Sequence, residues 1–138
     1  MIKRIIAILI IVLTISNYVL ASNCPNNLYK GLIAEAVSEG ELGMYAVACV
    51  VRNRLSKNMN IGLVALRRKD LDKFVWKQGK RYKIMAKRIV EDIFIKNSKD
   101  ITNGATHYEA IEKYGKPYWT KNMIKTCKIG IHTFYKEK

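Results

Sequence analysis

Two glutamates four residues apart, Glu35 and Glu39, are the first residues whose types and spacing carry chemistry. On a helix, residues at this spacing are neighbours on one face. Here they border an apolar arc beside Leu28 and Leu32. A carboxyl beside apolar surface loses hydration, and a second carboxylate one turn away repels its charge, so one partner holds its proton more tightly. An acid still protonated near neutral pH is what glycosidic cleavage needs, because the leaving oxygen must receive a proton. Taken alone, such a pair is more often two ordinary surface carboxylates.

A second group lies late in the chain: His107, Tyr108, Trp119 and His132. Aromatic rings offer apolar faces to sugar C–H groups, and their polar edges reach hydroxyls. The plainer reading is a small aromatic core. Two Glu and two His also resemble a metal inventory, but neither His-Glu-x-x-His nor Cys-x-x-Cys spacing is present. The expectation is therefore a site without metal or cofactor.

These residues need elements to hold them. Leu28, Tyr29, Leu32, Ile33, Ala36 and Val37 recur at helical spacing and predict a helix over 26–39, capped by Asn26 or Asn27. Gly40-Glu41-Leu42-Gly43 reads as a turn. Met44, Val47, Ala48, Val51 and Leu55 predict a second helix, with Arg52 and Asn53 on or near its exposed side. The polar, basic stretch 56–79 reads as short helices and loops. Tyr82, Met85, Ala86, Ile89, Val90 and Ile93 mark the apolar face of a third helix over 81–95. Beyond it, 104–108 and 129–135 are β-prone. The fold class is α+β: about three helices followed by a small β-sheet or hairpin.

The 138 residues suffice for one domain. Lys3 and Arg4, the apolar run Ile5 to Ile15 and the ending Val19-Leu20-Ala21 read as a signal peptide over 1–21, leaving one domain over 22–138. The run is short for a membrane span, and a membrane partner is expected only if this segment is retained. The formal charge is +14. Such a chain suits a polyanion, an anionic membrane surface or the anionic bacterial wall, and the leader argues against nucleic acid. The clusters Arg67-Arg68-Lys69 and 77–87 either bind polyanions or form a solvated face. Cys49 sits in an apolar run and reads as a buried free thiol. Cys24 and Cys127 either pair in an oxidising compartment or stay free.

Taken in order, these pieces resemble the SleB-type cell-wall hydrolases, the family of spore-cortex-lytic enzymes. The resemblance rests on Glu35-Ala36-Val37-Ser38-Glu39, Gly43, Ala46-Val47-Ala48 with Asn53-Arg54, Gly104-Ala105-Thr106-His107-Tyr108, and Ile129-Gly130-Ile131-His132-Thr133-Phe134. Ser38 and Gly40 stand where relatives often show Gly and Pro. The resemblance implies a compact lysozyme-related domain that cleaves the MurNAc–GlcNAc bond of peptidoglycan as a lytic transglycosylase. It points to Glu35 as the catalytic acid. The residues themselves suggest that Glu39 tunes Glu35 and that His107, Tyr108, Trp119 and His132 bind substrate. Hydrolysis needs two carboxyls on opposing sides of the sugar or at covalent-intermediate distance. Glu39 shares a face with Glu35, and Glu109 is the only other acid in a matched block. The implied protein is a monomer, secreted or periplasmic, associated with the wall. A wall-binding protein that cuts nothing, and a phage lysis enzyme anchored by its N-terminus, are the alternatives.

Overall fold

The computed structural model describes residues 23–138. The expected signal peptide over 1–21 lies outside these residues. Four helices come first: α1 (Leu28–Ala36), α2 (Gly40–Ser56), α3 (Leu71–Gln78) and α4 (Lys80–Phe94). A three-stranded antiparallel sheet follows, built from β1 (His107–Glu109), β2 (Met123–Ile129) and β3 (His132–Glu137). A short α5 (Ile111–Tyr114) lies between β1 and β2. The sheet order is β1-β3-β2, with Tyr108 opposite Phe134 and Ile129 opposite His132. This is the α+β architecture expected.

Helix α2 is the spine. Met44, Val47, Ala48 and Val51 pack into the helical core with Leu28, Leu32, Ile33, Ile89, Ile93 and Phe94. Ala46 and Val50, on the other side of α2, pack with Ala105 and Phe134 beneath the sheet. A helix buried on two sides must be apolar on both, which accounts for the run Ala46 to Val51. Cys49 is fully buried there, and burial pushes its thiol up to about 12. Cys24 and Cys127 are free thiols, Cys24 packed on the helical core and Cys127 beneath the sheet.

Three local expectations are corrected. The first helix does not run to Glu39. It ends at Ala36, whose φ of −136° leaves the helical region, and Val37–Glu39 is a 3-10 turn. The four residues 40–43 are not a turn but the start of α2. Gly40 takes a φ of +68°, which lets the chain change direction and begin the next helix at once. Asn27 precedes α1 in a left-handed conformation with no side-chain cap bond.

Candidate active site

The end of α2 anchors the strand that carries His107 and Tyr108. Arg52 and Asn53, expected on or near the exposed side, are half-buried. Arg52 donates to the Ile93 carbonyl in the last turn of α4 and to the Ser98 carbonyl in the segment that follows. Asn53 donates to Asp100 at 2.8 Å and to the Ala105 carbonyl at 2.9 Å. Arg54 donates to the Thr106 carbonyl at 2.9 Å and to the Asn60 carbonyl. Asp100 accepts further bonds from the Thr102 hydroxyl and from the backbone N–H groups of Thr102 and Gly104. Burial alone would push its carboxyl up, but these hydrogen bonds outweigh it and hold Asp100 below the usual carboxylate range. Three consecutive side chains thus tie the segment 97–106 in place before β1 begins.

The break after Ala36 redirects Glu39. Its side chain does not continue the face of Glu35; it crosses to the hairpin formed by β2 and β3. One oxygen accepts from the Ile131 N–H at 3.1 Å. The other lies 2.5 Å from Nδ1 of His132, with both side chains nearly buried. The alignment is not that of a hydrogen bond, since Oε1 is buried with no aligned donor, so the contact is chiefly electrostatic.

Two glycines make room for this carboxylate. A Cβ at Gly43 would lie 2.4 Å from Glu39 Cβ, and one at Gly130 would lie 2.1 Å from Glu39 Oε2. Gly130 opens the two-residue hairpin turn with a φ of +59°, which only glycine adopts without strain. Both glycines stood in the sequence blocks, but what they accommodate was not visible there.

A cleft of about 430 Å³ lies between the C-terminal end of α1, α2 and the sheet. Glu35, Glu39, His107, Tyr108, Trp119 and His132 all line it. The structure therefore brings all six expected residues together. It adds Arg54 and Glu109, which also face the cleft. Arg54 was visible in the sequence only as part of the Asn53-Arg54 pair. Glu109 accepts the Ala110 N–H with one oxygen.

The aromatic groups form two clusters: Tyr108 meets His132 edge-on at 5.0 Å, and His107 lies 5.4 Å from Trp119. Burial, then the charge of Glu35 and hydrogen bonding to it, push the Tyr108 phenol well above its ordinary range. Tyr108 thus stays protonated at the pH of most biological media, in the same cleft as Glu35. Burial and the charge of Arg54 hold His107 below the usual histidine range, so it is neutral near pH 7. The arrangement supplies one carboxyl, Glu35, with the Tyr108 phenol lining the same cleft. A second carboxylate, Glu39, is already engaged by protein groups. Around both lies a ring of aromatic surface fit for a sugar. Among the described residues, no group of three or more His, Cys, Asp or Glu side chains is placed to hold a metal ion.

Among curated proteins and among solved structures, none matches the chain. The family described as Cell Wall Hydrolase matches residues 38–135. That span takes in Glu39, Arg54, His107, Tyr108, Trp119 and His132, and it begins just after Glu35. With most of its length matched, the chain belongs to the cell wall hydrolase family.

Proposed function

We propose that this protein, an enzyme acting on peptidoglycan, cleaves the glycan strand between N-acetylmuramic acid and N-acetylglucosamine by lytic transglycosylation. In this reading it is of the SleB type. It is exported by its N-terminal segment and works in the wall as a monomer. Glu35 donates its proton to the glycosidic oxygen as the bond to C1 breaks. Its carboxylate then takes the proton of the muramic acid 6-hydroxyl as that oxygen closes onto C1. The product is a 1,6-anhydro sugar, and no water is consumed.

The observation that carries this reading is the division of labour between the two glutamates. Glu35 faces the cleft beside Tyr108, whereas Glu39 is held by His132 and Ile131. A carboxylate so engaged is a poor base or nucleophile, and a single acid suffices for the intramolecular route. Tyr108 steadies Glu35, and the pair Glu39–His132 fixes the wall of the cleft on which His132 meets substrate. Trp119 and His107 supply a stacking surface.

Mass spectrometry of muropeptides released from purified peptidoglycan tests the reaction type. The expected product ends in 1,6-anhydro-N-acetylmuramic acid and resists borohydride. A product heavier by one water and reducible by borohydride would mean hydrolysis. Glu109 would then be the first residue to substitute as the second carboxylate.

A further inference from the structure

A second groove, of about 840 Å³, lies between α1, α3 and α4 and shares no lining residue with the cleft. Tyr29, Val75, Trp76 and Ile84 form its apolar lining, and Lys80, Lys83 and Lys87 flank them. Trp76 is 80% exposed and Ile84 58%. Tyr29 and Glu35 both lie on α1, about 9 Å apart along its axis and on different sides of it.

The charge around this groove is one-sided. Residues 67–88 hold ten Lys and Arg against two Asp, so +8 of the chain's formal +14 lies in this stretch. Both aspartates are already engaged, Asp70 by Arg68 and Asp72 by Lys30. Among the described residues Lys80 and Lys83 form no ion pair. Lys80, Lys83 and Lys87 follow one face of α4 at spacings of three and four, where like charges repel. Neither Lys80 nor Lys83 has an acid three or four residues away, and Trp76 stands exposed beside them. The arrangement costs the isolated protein and favours it once an anion is bound.

We infer that this groove is a non-catalytic binding site for a strand of anionic, phosphodiester-linked sugar or polyol polymer. The inference rests on the reading of the protein as a wall enzyme. Lysine ammonium groups serve as point charges for phosphates, and the Trp76 ring offers a face for sugar C–H groups. The apolar groups line a recess rather than a wide convex face, which fits one polymer strand better than a bilayer. The site holds the enzyme on the wall while the cleft, on another side of α1, works along a glycan.

Co-sedimentation of the full chain tests this with purified walls carrying such polymers, and with the same walls stripped of them by hydrofluoric acid. The variant Trp76→Ala/Lys80→Gln/Lys83→Gln removes only exposed side chains. Lys57→Gln/Lys125→Gln removes the same charge elsewhere. The expected result is that the groove variant binds intact walls about 10-fold more weakly, a loss of about 1.4 kcal/mol. The charge control should stay within about twofold, and cleavage of soluble glycan fragments should be unchanged. Equal binding by the groove variant and the control, or equal binding to intact and stripped walls, would overturn the inference. So would loss of affinity for phosphatidylglycerol vesicles in the groove variant with no loss for walls, which would make the groove a bilayer contact. Binding is read without cleavage, so a protein that binds walls as expected but cuts no glycan would fail the proposed function and leave this site standing.

Discussion

The carboxylate of Glu39 and the imidazole of His132 meet at 2.5 Å, joining the corner between α1 and α2 to the first residue of β3. The Ile131 N–H bonds the same carboxylate. The helical half and the sheet half of the domain are thus tied together at the edge of the cleft.

The tie predicts coupling. His132→Ala leaves the buried Glu39 carboxylate without its counterpart, and should destabilise the protein by about 1–3 kcal/mol. Adding Glu39→Ala should cost much less than Glu39→Ala costs alone, because the unpaired group is then gone. Denaturant unfolding of the four proteins in this cycle measures the coupling. Strict additivity would mean that the two side chains do not depend on each other.

Gly130→Ala should be more damaging than an exposed hairpin position suggests. The added methyl collides with Glu39 Oε2, and the left-handed backbone adds roughly 1–2 kcal/mol of strain. Lowered melting temperature together with lowered wall lysis is expected. Gly115→Ala meets backbone strain of its own, at φ +84° and ψ 172°, but nothing within 4 Å, so it should lower stability and spare activity. Equal activity of the two variants would remove Glu39 placement from the account.

Tyr108→Phe removes the donor beside Glu35 while keeping the ring against His132 and Phe134. One hydrogen bond is worth about 0.5–1.5 kcal/mol, so lysis should fall roughly 2- to 10-fold. The folded phenol is raised above its unfolded value. Its contribution to stability is therefore present below about pH 10 and lost as pH rises through the folded value. Unfolding measured in the alkaline range should show a shallower loss in Tyr108→Phe than in the wild type.

Asp100 governs the acid side. Its carboxyl is held below the usual range, so its contribution is present above about pH 4 and lost as pH falls through the folded value. Asp100→Asn should lower stability at neutral pH and flatten the loss below pH 4, roughly. An unchanged acid limb in the variant would show that other carboxylates carry it.

Much of this was legible in the sequence, for identifiable reasons. The helix expected over 81–95 is found at Lys80–Phe94 because its apolar stripe repeats cleanly over four turns. The six cleft residues were legible as types of chemistry in blocks, though not as partners. Three features were hidden. Strand β2, with three exposed residues and two lysines among seven, has no strand-like alternation and is held by its pairing to β3. The break after Ala36 is invisible because the residues 35–39 suit a helix locally; contacts from Ile131 and His132 override that preference. Gly40 and Gly43 looked like helix breakers, whereas Gly40 permits a sharp corner and Gly43 leaves space for Glu39.

The central claim is that Glu35 is the acid. The most direct measurement is the rate of muropeptide release from purified peptidoglycan by wild type and by Glu35→Gln, with melting temperatures taken on the same samples. The account predicts a loss of roughly 10²- to 10⁴-fold in the variant, the usual contribution of a positioned general acid, with the melting temperature little changed. A folded Glu35→Gln protein that releases muropeptides at near the wild-type rate would contradict it.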